Sequence, residues 1–327
     1  MRNLLDRLNP RFPIFNAGMG GGLAGAAMVA AINDAGGLGI LGSGALPPHL
    51  IEQMIVDTHA RTSRPFGANI ILPMSDGTDI EACFDGGVDV LVLFWGDPQP
   101  FVADAHKRNM FVIAQCGGAD DAVAAADAGV DAVIVQGTEA GGHVKALAPL
   151  ATSLAETVKV LGSLPVIAAG GLASGTDIET ALGAGASAVS LGTRFLASHE
   201  SQAVTGYKER LLAAHATDTV LTDLFNLGWP DANHRVIRNT TYDTWEAAGK
   251  PAPGARPGEG DEIGVFNSGS VSIDLPRYTV FPPVVGFDGD LDAVPLYAGE
   301  SVEHVNAVES IAAIMTQLVD ELRRAAA

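Results

Sequence analysis

Positive charge is in short supply in this chain. Its 327 residues carry 19 Lys and Arg against 38 Asp and Glu, a formal net charge of −19. Nucleic acid and anionic membrane surfaces both need clustered Lys and Arg, so neither is expected as a partner. An acidic surface serves solubility. Cysteine is scarcer still: Cys83 and Cys116 sit inside or beside apolar runs, without metal-ligand spacing. Buried free thiols in a reducing compartment are the expectation. The opening Met1-Arg-Asn-Leu-Leu-Asp-Arg is too polar for a signal peptide and is followed by Pro10 and Pro13. A membrane span is lacking too, because the apolar stretch from Ala17 to Leu46 is broken by Asn33-Asp34 and many glycines. A cytoplasmic location follows as the expectation.

What is abundant is glycine in a repeated context. A small or acidic residue, then Gly, then a short aliphatic run recurs as Asp34-Ala-Gly-Gly-Leu-Gly-Ile-Leu41 and Asp85-Gly-Gly-Val-Asp-Val-Leu-Val-Leu93. It returns as Asp127-Ala-Gly-Val-Asp-Ala-Val-Ile-Val135 and Gly183-Ala-Gly-Ala-Ser-Ala-Val-Ser-Leu191. Each copy reads as a helix C-terminus closed by a left-handed Gly and followed at once by a buried parallel strand. Eight strands are expected: Pro13–Asn16, Leu38–Leu41, Phe66–Ile70, Val88–Leu93, Phe111–Gln115, Ala132–Gln136, Val166–Ala169 and Ala188–Leu191. One crossover helix per strand gives an α/β fold, a (β/α)8 TIM barrel, over residues 1–200. A doubly wound sheet is the runner-up. It is disfavoured because Gly18-Met-Gly-Gly-Gly22 has the wrong spacing for a dinucleotide fingerprint.

The periodicity stops near Glu200. Residues 201–296 open with a helical segment, Tyr207–Asp218, and turn rich in Pro, Gly, Asn and Asp; Lys250–Gly260 reads as an exposed loop or lid edge. This section is expected to be a smaller cap inserted after the eighth strand, over the barrel mouth. Residues 297–327 should end in an amphipathic helix, Val302 to Leu322, packed back on the barrel.

In such a barrel the loops after the strands share one rim. The sixth strand, Asp131-Ala-Val-Ile-Val-Gln136, runs into Gly137-Thr-Glu-Ala-Gly-Gly-His143, where glycines allow close approach and a histidine is placed to move a proton near neutral pH. The loops after strands seven and eight, Gly170-Gly171 and Gly192-Thr193, are where barrels commonly hold phosphate; Ser174, Thr176 and Asp177 can cap the next helix. With Asn69 and Gln136 as amide partners for a heteroaromatic ring, a phosphorylated planar cofactor is implied. FMN fits best, and NAD lacks its adenine-ribose signature. A metal site is not expected, since Glu139 and His143 lie in a glycine loop without further ligands.

Gln136-Gly-Thr-Glu-Ala-Gly-Gly-His143, Pro165-Val-Ile-Ala-Ala-Gly-Gly-Leu172 and Leu191-Gly-Thr-Arg-Phe-Leu196 with Glu200-Ser201 resemble the nitronate monooxygenase (2-nitropropane dioxygenase-like) family. FMN-dependent enoyl-ACP reductases and some NADH:quinone reductases are related. The resemblance runs from Pro13-Ile14 through Tyr297-Ala-Gly-Glu-Ser301 and the final helix. It implies an FMN barrel with phosphate held at Gly170, Gly171, Gly192 and Thr193. The ring would lie near Met19, Asn69, Gln136 and Gly141, with His143 as the catalytic residue facing the substrate. It further implies oxidation of alkyl nitronates with O2 to a carbonyl compound and nitrite. An NAD(P)H-dependent reductase of quinones or enoyl thioesters is the alternative; a non-catalytic flavin or phosphate binder is a third. Many family members continue Gly-Gly-His-x-Gly, whereas here Lys145 follows Val144, either attracting an anion at the mouth or pointing to solvent. The cap residues Asp223, Asn226, Trp229, His234, Arg238 and Tyr242 should include those that select the substrate. A small molecule and O2 are the expected partners, and a homodimer is left open.

Overall fold

The computed structural model describes residues 7–269 and 271–327; the Met1–Asp6 stretch, on which the absence of a leader was argued, lies outside them. Eight parallel strands form one sheet in the order β1 (Ile14–Asn16), β9 (Ala188–Leu191), β8 (Val166–Ala169), β6 (Ala132–Gln136), β5 (Phe111–Cys116), β4 (Val90–Phe94), β3 (Gly67–Ile71) and β2 (Ile40–Leu41). Between them, β7 (Gly142–His143) belongs elsewhere. All eight expected barrel strands are present. The four repeat glycines Gly36, Gly87, Gly129 and Gly185 all have positive φ, as a left-handed helix stop demands.

The seam between β1 and β2 closes the barrel, and a side chain does much of the closing. Phe15 bridges Leu38 in parallel, and the Leu38 N–H donates to the Ile14 carbonyl at 3.0 Å. One step further along, the amide of Asn16 takes over the ladder. Its Oδ1 accepts from the Ile40 N–H and its Nδ2 donates to the Ile40 carbonyl, both at 2.8 Å.

Every strand is buried on both faces, and alternate residues go to two different cores. Phe15, Ile40, Val90, Val92, Phe111, Ile113, Ile134 and Ile167 fill the barrel interior with Leu8. Their neighbours Ile14, Leu41, Ile70, Leu91, Val112, Val133, Val166 and Val189 pack outward under the helices. Period-2 alternation therefore divides interior from exterior although both faces are mainly apolar.

After β9 the chain forms the cap. The strands β10 (Thr219–Thr222) and β11 (His234–Ile237) are antiparallel to each other. A second small sheet joins β12 (Glu262–Ser268), β13 (Val271–Pro276) and β14 (Phe287–Gly289). The helix foreseen over Tyr207–Asp218 is Thr205–Ala213 followed by a 3-10 turn, Ala216–Asp218. Within Lys250–Gly260, Arg256 departs from the exposed-loop expectation. It is buried, pairs with Glu259 at 2.6 Å and lies 4.1 Å over the Tyr278 ring.

The final helix begins later than its apolar spacing suggested. It runs Ile311–Ala325, capped by the Ser310 side chain accepting from the Ala313 N–H at 3.2 Å. Val305 belongs instead to the cap's core, so an apolar period carried across a helix cap without changing phase. The helix packs on Ala26–Asp34 and Gly175–Gly183, and no described helix is long and apolar enough to cross a membrane.

Candidate active site

A cleft at the C-terminal end of the barrel gathers residues from most of its loops. Met19, Asn69, Gln136, Gly141, His143, Gly170, Gly171, Gly192 and Thr193 all line it, so the barrel residues named from the sequence for cofactor and catalysis reach one place. The cap adds Trp229, Val280, Phe281 and Pro282, and the segment that follows it adds Tyr297 and Ser301. Among the described residues no Lys, Arg, Asp or Glu lines the cleft, and no cluster of His, Cys, Asp and Glu among them could hold a metal.

The floor is built from small residues. Gly170 and Gly171 have φ of +110° and +72°, values closed to most side chains. At Gly142 a Cβ would meet nothing within 4 Å, and at Gly192 only the Ala17 methyl at 3.6 Å. Gly141 is small for a different reason: a Cβ there would lie 2.3 Å from the Gly299 backbone nitrogen. The cap thus touches the His143 loop backbone to backbone. Thr193 shares in this contact, its hydroxyl accepting from the Gly299 N–H at 3.0 Å. Ser174 and Asp177 form the foreseen capping box on the helix Gly175–Gly183.

The loop carrying His143 is more ordered than a glycine run suggests. Gly142–His143 is a two-residue strand, β7, antiparallel to β11, with His143 opposite His234 and Gly142 opposite Arg235. The two polar ends of Gln136 are spent on this segment: Nε2 donates to the His143 carbonyl at 3.0 Å and Oε1 accepts from the Lys145 N–H at 3.1 Å. Arg235 grips the loop further back, through the Thr138 carbonyl at 2.8 and 3.1 Å. Glu139 turns away and accepts from the Leu150 N–H at 2.9 Å, at the start of the helix Leu150–Leu161. Lys145 does not line the cleft: it pairs with Asp121 at 2.8 Å in a partly exposed ion pair.

The two histidines on β7 and β11 differ in kind. His234 is fully buried, and both ring nitrogens are engaged: Nδ1 donates to the Ala232 carbonyl at 2.9 Å, while Nε2 accepts from the Phe225 N–H at 3.2 Å. Burial pushes its titration down to about 4. That is a structural histidine. His143 is half-buried and lines the cleft, and its Nε2 is sealed from water without any hydrogen-bond partner. Burial, with His234 nearby as a second cause, holds it well below the ordinary histidine range. A neutral imidazole is therefore the form present near pH 7.

Of the six cap residues singled out, only Trp229 lines the cleft. Its ring stacks on His143 with centroids 3.9 Å apart and planes 21° apart. Asn226 instead holds Arg256 at 2.9 Å, Arg238 pairs with Asp243 and Glu246 at the surface, and Tyr242 packs in a cap core. Tyr297 and Ser301 were missed as site residues. The Tyr297-Ala-Gly-Glu-Ser301 motif was the available signal, but its distance from any barrel strand gave no reason to bring it to the rim.

Comparison with known proteins agrees with this architecture. The sequence profile described as nitronate monooxygenase matches residues 2–86 and 77–321. A Mycobacterium tuberculosis protein named (3aS,4S,5R,7aS)-5-hydroxy-7a-methyl-1-oxo-octahydro-1H-indene-4-carboxyl-CoA dehydrogenase is 36% identical over 250 residues, 76% of this chain and 69% of that one. A probable nitronate monooxygenase of Bacillus subtilis is 28% identical over 269 residues, 69% of this chain and 77% of the relative. Among solved structures, FabK from Thermotoga maritima superposes with a TM-score of 0.82 at 27% identity, over 100% of this chain and 97% of that one. A nitroalkane oxidase of Streptomyces ansochromogenes shares the fold, with a TM-score of 0.77 at 24% identity over 96% of each chain. Barrel, cleft and matched profile lead to one assignment: the chain is an oxidoreductase of the nitronate monooxygenase family.

Proposed function

We propose that the protein is an FMN-dependent nitronate monooxygenase, oxidising alkyl nitronates with O2 to a carbonyl compound and nitrite. The observation that carries this reading is His143: a neutral, partner-free imidazole on the wall of a cleft whose floor is glycine and whose roof is aromatic. The cleft suits FMN. Open Cα positions at Gly142 and Gly192 leave room that side chains would fill, and backbone N–H groups near Gly170-Gly171 and Gly192-Thr193 are a phosphate cradle that needs no cation. FMN, when bound, supplies the electron acceptor and the centre at which oxygen is reduced.

The remaining tasks belong to the chain. Gln136 holds the His143 backbone in place, and the Trp229 and Tyr297 rings shield the imidazole from bulk water. As an α-proton acceptor, His143 would become an imidazolium in a buried site with no carboxylate lining the cleft, which burial makes costly. As an N–H donor to nitro oxygens it stays neutral. A nitronate arrives already deprotonated, so the site favours the anion over the neutral nitroalkane.

The alternative is an NAD(P)H-dependent reductase of quinones or thioesters, and the 36% identity to a named CoA dehydrogenase supports it. Anaerobic titration of the yellow protein with NADH, NADPH and propionate 3-nitronate separates the two. Bleaching by the nitronate, with nitronate-dependent oxygen uptake when air is admitted, is expected. Bleaching by a pyridine nucleotide alone would favour the alternative, and wild-type turnover by His143→Ala would make His143 dispensable and remove the observation that carries the nitronate reading.

A further inference from the structure

His143 raises a problem of orientation. A catalytic histidine commonly has one ring nitrogen tied to a carboxylate or carbonyl, which fixes its plane and tautomer. Here neither nitrogen has a hydrogen-bond partner among the described residues, and the final side-chain torsion of histidine is intrinsically broad. Ring packing is all that remains to hold it. His234 and Tyr297 meet it at tilted angles, with centroids 5.2 and 5.5 Å away. The flat contact is the indole of Trp229, at 3.9 Å and 21°.

Trp229 is itself held. It is 4% exposed and takes the Trp95 ring edge-on at 5.2 Å, with Phe94 also edge-on at 6.3 Å. Trp95 directly follows β4, and its φ of +62° is a left-handed conformation in a bulky residue. Such backbone persists only where the surroundings compel it, and it clusters at functional sites. It turns the indole towards Phe94 and Trp229, along the rim.

We propose that Trp229 is a positioning residue for His143: its face fixes the plane of the imidazole, and Trp95, locked in left-handed backbone, fixes Trp229 in turn. Stacking does here what a hydrogen bond to the far nitrogen does elsewhere, and it ties neither nitrogen to a fixed partner. The proposal rests on reading His143 as the ring that meets substrate. The neutral groups His234 and Tyr297 are the other titratable neighbours of the ring.

Trp229→Phe, which keeps a flat face, and Trp229→Leu, which keeps bulk and dryness without one, form the test, using FMN-loaded full-length protein. The readouts are the His143 titration followed by imidazole NMR, which needs no turnover, and kcat and KM with propionate 3-nitronate. Trp229→Phe should match the parent in titration and hold kcat within about threefold. Trp229→Leu should free the ring to take water, raise its titration towards the ordinary value, and lower kcat about tenfold or more with little change in KM. An unchanged His143 titration in folded Trp229→Leu overturns the proposal. If Trp229→Leu does not fold, Trp95→Gly decides, because glycine takes a positive φ without strain. It should shift the His143 titration the same way by a smaller amount, and no shift overturns the proposal. Absence of nitronate turnover in the parent would refute the proposed reaction while leaving the NMR comparison to judge Trp229.

Discussion

Asn16 offers the sharpest test of how the barrel closes. The side chain is 1% exposed, and its amide makes three hydrogen bonds: from the Ile40 N–H, to the Ile40 carbonyl, and to the Ala17 carbonyl at 2.9 Å. Asn16→Leu conserves volume closely while removing every polar atom. Two buried backbone groups of Ile40 are then left facing hydrocarbon, at about 1–3 kcal/mol each. The expected loss is about 2–6 kcal/mol, measured as a lower urea midpoint at unchanged m-value. In a chain this long that corresponds to a fall in Tm of roughly 5–10 °C. Asn16→Asp adds a second diagnosis. One carboxylate oxygen can still accept from the Ile40 N–H, but the other faces the Ile40 carbonyl, so the folded protein favours the protonated acid. The folded-state pKa then exceeds the unfolded one, and this variant should regain stability as pH falls through it. Because Ala17-Gly18-Met19 follows directly and lines the cleft, the same variants should also retain FMN less well. A loss below about 1 kcal/mol for Asn16→Leu would refute the reasoning and assign the seam to the Phe15–Leu38 bridge.

Three further outcomes are expected. His234 titrates near 4 when folded and near 6.5 when unfolded. The unfolded chain therefore binds a proton first, and stability should fall between about pH 6.5 and 4 by about 3 kcal/mol. Urea midpoints at pH 7.5 and 4.5 should show it, and His234→Gln should lessen the difference, the depressed His143 supplying the remainder; an equally steep loss in that variant would place the cause elsewhere. Cys83 and Cys116 are buried thiols pushed up to about 12 by burial. Neither should react with a disulfide reagent at pH 8 until denaturant is added, and prompt labelling of the folded protein would contradict their burial. Gly141→Ala places a methyl 2.3 Å from the Gly299 nitrogen. It should lower stability by about 1–3 kcal/mol and displace the His143 loop, so an unshifted melting temperature would show that the cap yields there at no cost.

The sequence by itself determined the barrel and its rim. Short β-branched runs such as Ala132–Gln136 and Val166–Ala169, each preceded by a glycine stop, can bury both faces only in a parallel sheet flanked by helices. Once eight such units follow one another, the loops after them must converge, so Met19, Asn69, Gln136, His143, Gly170 and Thr193 were legible as one site. Tertiary structure alone decided what surrounds His143. Its pairing with His234 and its stack on Trp229 join residues 91 and 86 positions apart, and no local propensity encodes a contact across that distance. The same holds for Lys145, diverted to Asp121, and for Gln136, spent on its own loop. A polar side chain's type announces what it can bond, whereas its partner is settled by whichever donors and acceptors folding buries beside it.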